Sequence, residues 1–237
     1  MANELVIPIN DYVETAKIIG RLNRFVVRIE INGETREAYL NNTGRLEKYI
    51  TYGKKCFIVK NARGRLNYRI LAVEDHDYGA VLDTSLQERV FEKLVLMNTI
   101  DWLKNCVLIR RNVRLNDSVI DYAFKCRGET VLVELKSAVL RLMDKYASYP
   151  DAPSSRASKQ FLKLMNHVSN GGASIVVFIC ALPFIEGFIF NNYVDEKLYA
   201  IITNAKEAGV SLKAIQLYYD PHRSGVVIGN LNLPVYL

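Results

Sequence analysis

The chain has 237 residues, half of them apolar and 24% charged, which is enough hydrophobic material for one large or two small packed domains and excludes a disordered or fibrous chain. Its 31 Lys and Arg against 25 Asp and Glu leave a net charge of +6, a lean toward a polyanionic partner that is too mild to establish one alone. The longest mostly apolar run, Ala173 to Ile185, is broken by Pro183 and falls short of the roughly 20 residues that cross a bilayer; Met1 to Pro8 lack the start of a secretory signal, so a cytoplasmic protein with no membrane partner is expected.

The first third reads as strands. Arg24 to Ile31, Glu37 to Leu40, Lys55 to Lys60, Leu66 to Val73 and Gly79 to Asp83 are rich in β-branched and aromatic residues, and Asn32-Gly33 is a hairpin signal. Five short strands with little helix between them predict a small barrel or curled sheet, the oligonucleotide-binding (OB) barrel being one candidate. After Asp83 the period changes: Leu86, Val90, Leu94 and Met97 recur at helical spacing behind a Thr84/Ser85 cap with Glu88 three residues on. Strand-like runs follow at Cys106 to Val113, Val119 to Cys126 and Thr130 to Lys136, the last two joined by a tight turn at Arg127-Gly128. A helix from about Ser155 to Ser169, a strand at Ala173 to Cys180, a helix at Val194 to Glu207 and strands at Leu212 to Tyr219 and Gly225 to Ile228 complete the chain. The expected fold is therefore α/β: a barrel-like domain over residues 1–83, then a mixed sheet flanked by helices over residues 84–237. Cys56, Cys106, Cys126 and Cys180 are scattered with no C-x-x-C pair, and the histidines are not spaced as their partners. This argues against zinc and favours buried reduced thiols, with disulfides left open.

The most informative segment runs from Thr130 to Lys136. Strand side chains alternate, so Val131, Val133 and Leu135 face one layer while Glu134 and Lys136 emerge together on the other. In the hairpin partner Asp121 interrupts an apolar strand, and antiparallel pairing brings it near Glu134. Two adjacent carboxylates repel unless a cation joins them. Asp121, Glu134 and the carbonyl of Leu135 suit Mg²⁺, or Mn²⁺ in its place, with Glu92 on the preceding helix as a further acid. Lys136 would orient or help deprotonate a metal-bound water aimed at a phosphodiester. A bare E-x-K is more often an exposed ion pair of small weight; the hairpin context raises this one.

Between Arg45 and Arg69 eight cations face one acid, Glu47, with Tyr49, Tyr52 and Tyr68 among them. That mixture suits a strand whose phosphates are neutralised and whose bases stack, and equally suits a solvated basic rim over half-buried tyrosines. The nucleic-acid candidates are Arg24, Arg45, Lys54, Lys55, Arg63, Arg65, Arg111 and Arg156, the last at a helix start where Ser154 and Ser155 either cap the helix or help grip a phosphate. No helix stands out as a reader of bases.

Asn23-Arg24-Phe25, Ala38 to Leu46, Asp83-Thr84, Ser118 to Tyr122, Val133 to Lys136, Tyr149 to Arg156, and Asn191 through Asp195 to Val210 resemble, in order, the signatures of the sugar fermentation stimulation protein A (SfsA) family. The resemblance implies an OB-like N-terminal barrel joined to a PD-(D/E)xK restriction-endonuclease-like domain, DNA binding, and a link to sugar use. It matches Asp121 to a metal-binding acid, Glu134 and Lys136 to the E-x-K pair, and Glu92 to a helix acid. In the N-T-G-R-L match at Asn42 to Leu46, Gly44 reads as a residue with an unusual backbone angle. Arg45 is presented to phosphate or to a carboxylate across the junction, or braces the interface. Val119 stands where the family usually has Arg, Tyr39 where it has His, Asn112 where Glu is common, and Ala157 and Gln160 where Gly and His are expected. Two functions stay open: a Mg²⁺-dependent nuclease of low sequence specificity, and a non-catalytic DNA-binding regulator of sugar metabolism with a vestigial centre. DNA is expected ahead of RNA as partner, and a homodimer is left open. The absence of a G-x-x-x-x-G-K-[ST] loop speaks against an enzyme acting on a small phosphorylated metabolite.

Overall fold

The computed structural model describes residues 4–61 and 65–237. Strands β1 (Leu5–Pro8), β2 (Val13–Asn23), β3 (Val26–Ile31), β4 (Glu34–Tyr39), β5 (Lys55–Lys60), β6 (Tyr68–Asp75) and β7 (Tyr78–Val81) precede helix α1 (Thr84–Leu96). Then come β8 (Val107–Leu115), β9 (Ser118–Cys126), β10 (Glu129–Ala138), β11 (Leu140–Leu142), β12 (Tyr146–Tyr149), α2 (Ser155–Ser169), β13 (Ala173–Cys180) and β14 (Gly187–Phe190). The chain ends with α3 (Glu196–Glu207), β15 (Ser211–Asp220), β16 (Gly225–Ile228) and β17 (Val235–Tyr236).

The barrel forms because alternate residues of its strands are apolar and turn inward: Ile18, Val27, Ile29, Ile58 and Ile70 are fully buried. Its strands run in the order β4-β3-β2-β5-β6, and a parallel pairing of β4 with β6 closes the ring into an OB-like barrel of five strands. The strand list differs from the sequence reading by one exchange. The long β2 was not anticipated, and the Gly79 to Asp83 run is β7, which leaves the barrel. In β2 only Ala16 and Ile18 are buried, and its register with β3 shifts between Ile18 and Gly20, so the alternation that announces a strand is weak.

β7 pairs with β6 and touches β15 at Tyr219. A Cβ on Gly79 would lie 3.0 Å from the Cβ of Ala72 and 3.2 Å from that of Tyr219, so a bare backbone is what lets barrel and second sheet meet here. From β15 the sheet continues through β13, β10, β9 and β8. β10, β13 and β15 are parallel, whereas β8, β9 and β10 are antiparallel. α2 packs on β9 and β13, and α1 against β7 and β10. The cap of α1 is Asp83, whose carboxylate accepts from the Ser85 N–H, rather than Thr84 or Ser85; Thr84 Oγ1 donates instead to the carbonyl of Asn41. A small second sheet, β11-β12-β14-β17, lies in strands of two to four residues, too short to show a period.

The cysteine reading is corrected in part. Cys106 and Cys126 form a disulfide, because the pairing of Val107 with Lys125 sets the two residues opposite each other at the strand ends, with Cα atoms 4.4 Å apart. Cys56 and Cys180 are buried free thiols. Among the described residues no helix is long and apolar enough to cross a membrane.

Candidate metal centre

β9 and β10 are joined by Arg127 and Gly128, both at positive φ, the geometry of a two-residue hairpin turn. The ladder runs from Cys126 opposite Glu129 to Tyr122 opposite Val133. One step further, Asp121 faces Glu134, and there side chains take over from the backbone. The Asp121 N–H donates to Glu134 Oε2 at 3.1 Å, and the Leu135 N–H donates to Asp121 Oδ2 at 2.7 Å. The two acids thus fill the fork where β10 leaves β9, and each is fixed by the other's strand. Lys136, two residues along the same face, donates to Glu134 Oε1 at 2.5 Å and to Gln160 Oε1 at 2.8 Å, while Gln160 Nε2 donates to the carbonyl of Val119 at 2.8 Å. Glu134 is 1% exposed and Lys136 8%, so the pair is not the solvated surface contact that a bare E-x-K most often makes.

These groups open onto a cavity of ≈ 410 Å³ walled by both halves of the chain: Asp121, Glu134, Leu135 and Lys136 at its base, Glu88 from α1, Arg156 from α2, and Arg24 with Asn41 to Gly44 from the barrel. The barrel wall is held by Arg21. Its guanidinium donates to the carbonyls of Gly44 (2.6 Å), Arg45 (2.7 Å), Arg24 (2.9 Å) and Asn42 (3.3 Å), saturating a loop that has no ladder of its own. Across the junction the Leu46 N–H donates to Asp151 Oδ2 at 3.2 Å. Gly44 is required by closeness rather than by backbone angle, since a Cβ there would run into the Asp151 carboxylate that receives the Leu46 N–H; the positive φ belongs to Leu46.

Burial raises both acids above the usual carboxylate value. Burial, reinforced by Asp121 and opposed by Lys136, pushes the Glu134 carboxyl up to about 7. Burial also raises Asp121 against the pull of Lys136 and Arg156. Glu88 rises to about 7, through burial and the charges of Asp121, Glu92 and Asp83. Burial alone would depress the Lys136 ammonium, but Glu134, Tyr149 and Asp121 outweigh it and hold it above its usual value.

The remaining sequence candidates are dispersed. Glu92 does not line this cavity: it is bound through both oxygens by Arg111 of β8, at 2.7 and 2.6 Å, so each neutralises the other. Glu88, one turn earlier, is the helix acid at the cavity. The sequence reading spent it on a cap, although a four-residue step toward the N-terminus keeps the same helix face. Lys54 is turned to the Lys48 carbonyl and the Tyr49 ring, and Lys55 to Glu74. Arg45 is exposed beside a separate apolar recess, Arg65 lines a neighbouring cavity, and Arg63 lies outside the described residues. Ser154 caps α2, accepting from the Ala157 N–H. Gln160, which steadies Lys136, was noticed in the sequence only as a departure. Among the described residues no three His, Cys, Asp or Glu side chains are gathered tightly enough to cage a metal unaided.

Comparison with known proteins places this geometry. Residues 19–82 match the family model described as the SfsA N-terminal OB domain, and residues 85–223 the one described as the sugar fermentation stimulation protein RE domain. A sugar fermentation stimulation protein homolog of Archaeoglobus fulgidus is 42% identical over 203 residues, covering 86% of this chain and 87% of the relative. A homolog of Pyrococcus furiosus is 34% identical over 217 residues, covering 92% and 94%. The solved structure of Pyrococcus furiosus SfsA in complex with Ca²⁺ is similar over the full length of both chains, with a TM-score of 0.94 at 32% identity. The chain, with its OB-like barrel and restriction-endonuclease-like α/β half, belongs to the sugar fermentation stimulation protein A family.

Proposed function

We propose that this protein is a divalent-cation-dependent nuclease that acts on nucleic acid, DNA ahead of RNA, without strong sequence preference. The observation that carries the reading is the convergence of Asp121, Glu134 and Lys136 in one cavity walled by Arg24 and Arg156. Asp121, Glu134 and the Leu135 carbonyl would hold Mg²⁺ or Mn²⁺, with Glu88 in place of Glu92 as the further acid. The donors are all oxygens, and the two carboxyls are raised by burial, as befits ligands waiting for a hard cation that keeps part of its water shell. The Ca²⁺ complex of the Pyrococcus furiosus relative supports this, Ca²⁺ being a cation of the same hard class. When bound, the cation supplies charge neutralisation at a phosphodiester and eases deprotonation of water. The chain's own groups do the rest. Arg24 and Arg156 draw in and orient phosphates, contacts that position a strand without reading its bases. Lys136, steadied by Gln160, holds a proton beside the attacked phosphate.

One observation favours a second reading, a DNA-binding regulator with a vestigial centre: Lys136 Nζ and both oxygens of Glu134 already have partners within the protein. Incubating the protein with single- and double-stranded DNA and RNA in Mg²⁺, Mn²⁺ or EDTA separates the two. Cutting in the metal arms and none in EDTA is expected; binding without cutting in every arm overturns the nuclease reading.

The ligand set also fixes a pH dependence. Glu134 rises from 4.5 to about 7 on folding, so the metal-free protein keeps a proton that the unfolded chain has lost, and its stability falls as pH climbs through that window. Cation binding favours the charged forms and opposes the loss. Thermal melts with Ca²⁺ and with EDTA are expected to differ little near the acid end of the window and most above it. A metal-induced increase in Tm that is the same at every pH would sink the ligand set.

A further inference from the structure

A second cavity, of ≈ 450 Å³, opens on the barrel beside the acid site, with Tyr39, Asn41, Arg65, Arg69 and Ser85 in its lining. The two cavities share a wall, because Asn41 lines both. Its side chain accepts from Tyr39 Oη at 3.2 Å and donates to Ser85 Oγ at 2.7 Å, which fixes the Tyr39 ring from one edge. Tyr39 also stands beside Arg69 in the parallel β4–β6 pair that closes the barrel. Just before β3, Phe25 is 44% exposed, and its ring lies 6.5 Å from that of Tyr39 at an interplanar angle of only 21°. The Arg24 guanidinium sits 5.8 Å from the centre of the Phe25 ring, and the same Arg24 lines the acid cavity.

Two near-parallel rings, Phe25 exposed and Tyr39 half-buried, therefore lie at the barrel surface, with Arg65 on one side and Arg24 leading to the acids on the other, while Arg69 is already turned to the buried Asp83 carboxylate at 3.4 Å. Aromatic faces take the faces of bases, and guanidinium groups take phosphates. Bases inside a duplex are already stacked on each other and have no free face to offer. Two of the three tyrosines singled out in the sequence are not this feature: Tyr49 is buried and donates to Asp75, and Tyr52 is 81% exposed.

We propose that Phe25 and Tyr39 seat an unpaired nucleobase, its flanking phosphates held by Arg65 on one side and Arg24 on the other, so that the strand entering the acid cavity is single or locally opened. This rests on the nuclease reading above and narrows its substrate to single-stranded or melted nucleic acid. Fluorescence anisotropy in EDTA tests it, using labelled oligothymidylate and a labelled duplex of equal length with the wild type, Phe25→Ala and Phe25→Trp. Phe25→Ala is expected to weaken single-strand binding about 5- to 150-fold, the loss of one stacked base, while leaving duplex binding and the melting temperature unchanged; Phe25→Trp restores it. Equal losses on both substrates, no loss on either, or no single-strand binding by the wild type overturns the base seat. Metal-dependent cutting alongside an unchanged Phe25→Ala affinity removes this inference and leaves the nuclease standing. Phe25-dependent single-strand binding without cutting in any metal does the reverse.

Discussion

Glu134→Ala is expected to lower the unfolding free energy by about 3–5 kcal/mol, since it leaves the Lys136 ammonium buried with only Gln160 bonded to it. For a chain of this size that is a fall in Tm of about 6–20 °C. Lys136→Met is expected to cost less stability, because Glu134, already near 7, sheds its charge by taking up a proton. Combined as Glu134→Ala with Lys136→Met, the losses should fall well short of additive, because each change removes the partner that the other would strand. On the proposed nuclease function, cleavage is expected to behave differently. Lys136→Met should slow it by about 10²–10⁴-fold, the range of a positioned proton donor or acceptor, without weakening strand binding in EDTA. Thermal melts of the four proteins and a timed cleavage assay in Mn²⁺ check both halves. Additive stability losses, or a Lys136→Met protein that cuts at the wild-type rate, would remove the pair from the mechanism.

The other large effect is expected far from the acids. Arg141, 6% exposed, donates to Asp75 Oδ2 at 2.8 Å and to the carbonyls of Pro183 (2.7 Å), Asp144 (2.8 Å) and Phe184 (3.3 Å). Tyr49 donates to the same Asp75 oxygen at 2.8 Å. Asp75 ends a barrel strand, whereas Arg141 belongs to the small second sheet, so this cluster rivets the two halves together. Burial alone would raise the Asp75 carboxyl, but the bonds from Arg141, Tyr49 and His76 outweigh it and hold it below its usual value. Arg141→Ala strands that carboxylate and should cost about 3–5 kcal/mol. Denaturant unfolding of Arg141→Ala and of Arg141→Met with Asp75→Leu measures it: the single variant should be the less stable of the two, and a near-neutral Arg141→Ala would show that the cluster does not brace the junction.

What the sequence made legible follows from how local each signal is. The β9–β10 hairpin announces itself because its turn residues are adjacent to alternating apolar strands, and from that the meeting of Asp121 with Glu134 is simple arithmetic of register. The barrel was visible as a class of fold, yet one of its five strands was not, because β2 carries few buried residues and a register shift. The choice of Glu92 over Glu88 failed because both lie on the same face of α1, and only the third dimension shows that Arg111 has claimed one of them. The sequence leaves Tyr49 open between stacking and burial for want of its partner: nothing near it in the chain reveals that Asp75 lies against its hydroxyl. The Phe25–Tyr39 pair comes from the β3–β4 hairpin, which sets Val26 opposite Tyr39, and the Cys106–Cys126 pair from β8 lying beside β9; both follow from strand register, which residue spacing alone does not announce.

The uninterrupted run of hydrogen-bonded strands from β4 to β8 has one more implication. Barrel and second sheet share a spine, crossed where Gly79 meets Tyr219, which opposes a swing of one half against the other. An oligonucleotide anchored at the barrel would then meet the acids at a set spacing, like cloth fed past a fixed blade, and cutting should fall off sharply once a strand is too short to reach from the Phe25 ring to Asp121 and Glu134.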